Sequence, residues 1–106
     1  MERAALTIVA SEDNSGVPTL AVSGEIDMTT VGELARAVEA ALGSGPSRLV
    51  LDLGEVTFCD SQGLGTLMLL NRQAAGARAV LVLTNVSGHL LRTLDITGLG
   101  SLLTIR

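Results

Sequence analysis

A chain of 106 residues is long enough for one domain that buries about two-thirds of its unfolded surface. With 47% hydrophobic but only 1% aromatic residues its core must be aliphatic, which suits helices packed on a sheet, and a formal charge of −4 argues against a nucleic-acid backbone as partner. No apolar run approaches the ~20 residues that span a bilayer, no signal-peptide pattern opens the chain, and the single cysteine, Cys59, has no internal disulfide partner; a cytoplasmic protein without membrane insertion is expected.

Two β-favouring runs come first, Leu6-Thr7-Ile8-Val9 and Thr19-Leu20-Ala21-Val22-Ser23. The polar, glycine-containing break between them is the pattern of a hairpin or meander at a sheet edge. After Gly24-Glu25-Ile26-Asp27, the stretch Thr30-Val31-Gly32-Glu33 reads as a capping box, with Thr30 as N-cap and Glu33 reaching back. Val31, Leu34, Ala35, Val38 and Leu42 recur at helical spacing, predicting a helix over 31–42 that Gly43-Ser44-Gly45-Pro46 stops.

Residues 49–53 are apolar except for Asp52, the pattern of a central strand with both faces covered. Asp52 is expected to bond loop amides. A helical stripe follows at Leu64, Leu67, Met68 and Ala75, broadened by Leu69 and Leu70, with Gly76 placed as a C′ residue. A second buried strand is predicted over 79–83. Ser87 then caps a short helix carrying Leu90, Leu91 and Leu94 and closed by Gly98, and 102–105 form a last strand. The order is ββαβαβαβ. After the first hairpin, this alternation implies right-handed crossovers and a largely parallel α/β sheet with an antiparallel edge, as one domain over residues 1–106.

The stretch with the most chemistry lies where the 49–53 strand gives way to the helix. Asp60-Ser61 supplies two short side-chain acceptors at the helix start, and an N-cap role for either accounts for the local pattern. Gly63 and Gly65 lie in the first two turns, at about 1 kcal/mol each of lost helix propensity, and would let a partner's surface approach Ser61. A serine at a helix N-terminus also suits phosphorylation, because the free N–H groups and the dipole accept an anion. Phosphate there would stabilise the helix, so a switch would act at a partner's surface and not by unfolding.

Val56-Thr57-Phe58-Cys59-Asp60-Ser61-Gln62-Gly63-Leu64-Gly65 resembles the Asp-Ser-x-Gly-Leu/Ile signature of STAS-domain anti-sigma factor antagonists. Gly24-Glu25-Ile26-Asp27 and Leu94-Asp95-Ile96-Thr97-Gly98-Leu99 resemble further motifs of the same family, so the likeness covers nearly the whole chain. The resemblance implies a STAS fold and Ser61 as the residue phosphorylated by a partner serine kinase that is also the anti-sigma factor. A phosphoserine phosphatase would reset the switch. Asp60, Gln62, Gly63, Leu64 and Gly65, together with Asp27 and Thr29, are the implied partner-contact positions. Cys59 stands where a bulky aliphatic residue or methionine is more usual, and Gln62 where a small residue is common, which bears on which kinase docks. The chain also ends soon after Ile105, without the trailing helix many members carry, as in a short or trimmed member.

The alternatives are of other classes. A STAS accessory subunit, on a lipid-transporting ABC complex or a signalling scaffold, would keep Ser61 as an unmodified helix cap. An enzyme lacks support: Ser61 sits in no Gly-x-Ser-x-Gly elbow, and the only histidine, His89, falls in another predicted element, exposed or capping. A Cys59–His89 pair would need folding to join them. No cluster has metal-ligand spacing, and Gly63-Leu64-Gly65 is neither a dinucleotide fingerprint nor a P-loop. No catalytic, metal or cofactor site is expected. Glu25, Asp27, Glu55 and Asp60 form either a solvated face or a rim that meets basic groups of a partner.

Overall fold

The computed structural model describes residues 6–106. Residues 1–5, part of the span assigned to the single domain, lie outside the described residues. The elements follow the expected order: β1 (Thr7–Glu12), β2 (Pro18–Ile26), α1 (Val31–Leu42), β3 (Arg48–Cys59), α2 (Ser61–Gly76), β4 (Val80–Thr84), α3 (Gly88–Thr97), a 3₁₀ turn over Leu99–Leu102, and β5 (Thr104–Ile105). The five strands lie in the sheet in chain order, with β1 antiparallel to β2 and each later neighbour parallel. The hairpin turn is held by Asp13, whose Oδ1 accepts from Ser15 N and Val17 N at 2.8 and 2.9 Å.

Right-handed crossovers that always step in the same direction along a sheet keep their helices on one face. Burial follows that geometry. Leu49, Leu51 and Leu53 of β3 and Leu81 and Leu83 of β4 pack in one core with Leu34 and Val38 of α1, Leu67, Leu70 and Ala74 of α2, and Leu90 and Leu94 of α3. The alternate residues Val50 and Asp52 are only half-buried. The central position predicted for β3 stands, but the expectation that both of its faces are covered is corrected: helices cover one.

Several local predictions also change. The Thr30 hydroxyl makes no cap for α1; it donates to Glu25 O at 2.8 Å and accepts from Asp27 N at 3.0 Å, so the capping box does not form. β3 runs on through Gly54 to Cys59, six residues past the predicted end. It carries two extra residues against β2, where the register shifts between Ala21 and Ser23 and again between Gly24 and Glu25. Ala74, not Ala75, faces the core, and Leu69 is exposed. Gly76 is the last residue of α2 rather than C′, and Arg78 takes the positive φ (62°) that turns the chain into β4. Leu102 belongs to the 3₁₀ turn, so the last strand is two residues long. Asn71 Nδ2 of α2 donates to Leu102 O at 3.0 Å and ties that turn down. α3 forms as predicted, with Ser87 Oγ accepting from Leu90 N at 3.1 Å and Gly98 left-handed at φ 76°.

Candidate functional site

The site lies beyond the C-terminal ends of β2 and β3. Ile26 pairs with Cys59 as the last step of the parallel ladder, and Asp60 N donates to Ile26 O at 3.1 Å, fastening the turn. Asp60 is extended (φ −88°, ψ −173°), and its Oδ1 accepts from Gly63 N at 2.8 Å. Of the two N-cap candidates, the cap is therefore Asp60. Ser61 is the first helical residue and is exposed, as is Gln62. Because the aspartate takes the capping bond, no hydrogen bond among the described residues engages the Ser61 hydroxyl.

Gly63 plays a different part from the one expected. It is buried, and a Cβ there would lie 2.7 Å from Cys59 Sγ, 2.8 Å from Ile26 O and 2.9 Å from Ile26 Cγ2. Its bare backbone faces the inside of the fold, letting α2 start against the end of β2, and is not presented to a partner. A Cβ on Gly65 meets nothing within 4 Å, so the open approach expected of both glycines belongs to Gly65 alone. Leu64 is half-buried against the core.

The neighbouring loop is stiff for its length. Asp27 Oδ1 accepts from Thr29 N at 2.8 Å and from Thr29 Oγ1 at 2.6 Å, and Asp27 O accepts from Thr30 N and Val31 N. Thr30, 5% exposed, fills the loop from below. Asp27 directly follows Ile26, whose carbonyl holds the Asp60 turn, and its carboxylate ties down Thr29. Between them Met28 is 68% exposed, and two residues before Asp60 the side chain of Phe58 is 51% exposed. Neither was singled out from the sequence. The available clue was that Phe58 is the chain's only aromatic residue.

Asp52 bonds as expected and more: Oδ1 accepts from Gly54 N at 2.9 Å and from Asn85 Nδ2 at 3.0 Å. The Asn85 amide first, and the Gly54 amide second, hold its carboxyl below the ordinary 3.8. Cys59 and exposed His89 do line one small hollow between β3 and α3. Burial, with Asp60 adding to it, pushes the thiol up from 9.0 to about 11, the reverse of what a thiolate nucleophile needs. At pH 8 the folded thiol is expected to alkylate about a hundredfold more slowly than the urea-unfolded chain, read by timed iodoacetamide quenching. The unfolded thiol ionises first, so this contribution to stability is complete below pH 9 and is lost as pH rises towards 11. No group of three or more His, Cys, Asp or Glu able to hold a metal ion is present among the described residues.

Replacing Asp60 by Ala removes the α2 cap and is expected to lower stability by about 1 kcal/mol, a fall of roughly 4–8 °C in Tm by circular dichroism.

A sequential five-strand sheet with one antiparallel edge, three helices on one face and a capped Asp-Ser turn at the end of its central strand has the form of a STAS domain. The family model described as "Mlab, STAS domain" matches residues 9–104. The chain belongs to the STAS-domain family of anti-sigma factor antagonists. It is similar to an anti-sigma-B factor antagonist of Listeria monocytogenes, 34% identical over 85 residues that make up 80% of this chain and 75% of that one. It is also similar to the anti-sigma-F factor antagonist RsfB of Mycobacterium tuberculosis, 39% identical over 56 residues; the match takes in 53% of this chain but only 46% of that relative's length. The crystal structure of an anti-sigma factor antagonist from Mycobacterium paratuberculosis superimposes with a TM-score of 0.81 at 31% identity, covering 95% of this chain and 85% of that one. Among the described residues no helix is long and apolar enough to cross a membrane.

Proposed function

We propose that this chain is a phosphorylation-controlled anti-sigma factor antagonist with no catalytic activity of its own. Unphosphorylated, it binds a serine kinase that serves as the anti-sigma factor, and the sigma factor held by that kinase is released. The kinase then transfers the γ-phosphoryl group of ATP to Ser61: the Oγ–P bond forms, the bond from phosphorus to the ADP oxygen breaks, and the hydroxyl proton leaves. Phosphorylated chain dissociates, the sigma factor is recaptured, and a phosphoserine phosphatase hydrolyses the ester to restart the cycle.

One observation carries this reading. Ser61 is exposed at the head of α2 with its hydroxyl free of the cap, because Asp60 has taken that bond. An N-cap serine would have to surrender its hydrogen bond before accepting phosphate; this one does not. The names of the Listeria and Mycobacterium relatives supply the class of partner.

The test is intact mass after incubation with ATP and candidate anti-sigma kinases, wild type beside Ser61→Ala. One added phosphoryl group in wild type alone is expected. No addition, with binding still seen, would shift the reading to an unphosphorylated accessory subunit. Addition to both proteins would place the switch at another residue.

A further inference from the structure

Beyond Asp52, over more than half of its length, β3 has a strand beside it on one side only. Its pairing with β4 stops at Asp52↔Thr84, whereas its pairing with β2 continues through Ser23↔Glu55, Gly24↔Val56, Glu25↔Phe58 and Ile26↔Cys59. Beyond Thr84 the chain leaves the sheet, with Asn85 in the left-handed region at φ 55° and Ser87 capping α3. Among the described residues no backbone hydrogen bond joins 54–59 to 85–90. An edge of this kind presents main-chain N–H and C=O groups ready to pair with another extended chain.

The side chains along this edge narrow what fits. The Thr57 hydroxyl turns to the other side and donates to Gly24 O at 3.3 Å, so it does not screen the open edge. Phe58 is exposed and Val56 half-buried, both lining a hollow of ≈ 30 Å³ whose far wall is His89, Leu90 and Thr93 of α3. Exposed Glu55 has no hydrogen bond or ion pair among the described residues. A strand edge walled by a helix, apolar at two positions and acidic at a third, suits an extended peptide that alternates apolar and basic residues. The edge also runs directly into Asp60-Ser61, so a strand laid there is delivered to the phosphorylatable hydroxyl.

We propose that residues 54–58 take an extended segment of the partner as an added strand, with an apolar residue against Val56 and Phe58 and a basic one at Glu55. Main-chain pairing would give the affinity, and these side chains the selectivity. This rests on the antagonist reading only for the partner's identity.

The probe is the kinase that passes the Ser61 phosphoryl-transfer test, mixed with ADP and unphosphorylated chain. Of the amides at 55–58, those that point away from β2 are expected to exchange fast in the free chain and to slow by about tenfold or more in the complex. Phe58→Ser and Glu55→Lys are each expected to weaken binding by about tenfold with the thermal midpoint of the free chain unchanged, while Leu91→Ser, on the outer side of α3, leaves binding as it was. A complex that forms while these edge-facing amides stay fast would overturn the added strand and leave the antagonist reading intact. If no kinase transfers phosphate to Ser61, both fall, and the mass spectrum reports that separately.

Discussion

Gly63→Ala is expected to cost about 2 kcal/mol of stability, a fall of roughly 8–15 °C in Tm, while Gly65→Ala two residues on raises stability by up to about 1 kcal/mol. Both exchanges give α2 a better helix former, so propensity alone predicts the same gain at each position. Surroundings set the sign. The new methyl at 63 would stand within 3 Å of Cys59 Sγ, Ile26 O and Ile26 Cγ2. The thiol can rotate aside, but the carbonyl is fixed: it belongs to the last residue of β2 and accepts the bond from Asp60 N that fastens the Ser61 turn. Relief requires α2 to lift from the end of β2, loosening that bond and moving Ser61 with it. At 65 the methyl enters open space. Urea unfolding of the two variants beside wild type measures the difference, and equal midpoints would show that the start of α2 is not pressed against Ile26.

That contrast also marks how far the sequence could be read. α1 and α3 were legible because their apolar residues repeat at helical spacing, and α3 also because its ends carry local chemistry: Ser87 and Gly98 act within a few residues of themselves. The antiparallel edge and parallel interior were legible too, since a short polar break permits a hairpin and the later helices require crossovers. What escaped depends on contacts distant in the chain. Gly63 looks like a residue bared for a partner until Ile26, 37 positions earlier, is placed against it. Thr30 has the spacing of a capping box, yet its hydroxyl finds Glu25 O first, which a pattern confined to the helix start does not contain. The apolar run that predicts β3 covers only 49–53, but β2 continues beside it and supplies the pairing that carries the strand to Cys59. Asp60 and Ser61 were found together. Which of them caps and which stays free had to come from the geometry.

Phosphorylation of Ser61 is expected to lower affinity for the kinase partner about a hundredfold, with the fold retained. Phosphoserine adds −1.5 to −2 charges at neutral pH, and here they arrive at a helix N-terminus, whose dipole and free N–H groups favour them. The chain therefore keeps its structure and the penalty falls on the interface. Against one partner carboxylate ~5 Å away, at an effective dielectric of ~20, the repulsion is roughly 5 to 7 kcal/mol before screening. Salt and water reduce that severalfold, and ~2.8 kcal/mol still suffices for the hundredfold loss. Within the chain, the carboxylates of Asp60 and Asp27 accept from Gly63 N and from Thr29, and being negative themselves they do not neutralise the newcomer. Charge and bulk make separable predictions. If charge acts, Ser61→Asp weakens binding by less than the phosphoester does, since it carries a single charge, and raising the salt narrows the gap between phosphorylated and unmodified chain. If bulk acts, the gap is indifferent to salt. Titration calorimetry of wild type, phosphorylated chain, Ser61→Asp and Ser61→Ala at two ionic strengths decides between them; an unchanged affinity for the phosphorylated chain would remove Ser61 as the switch.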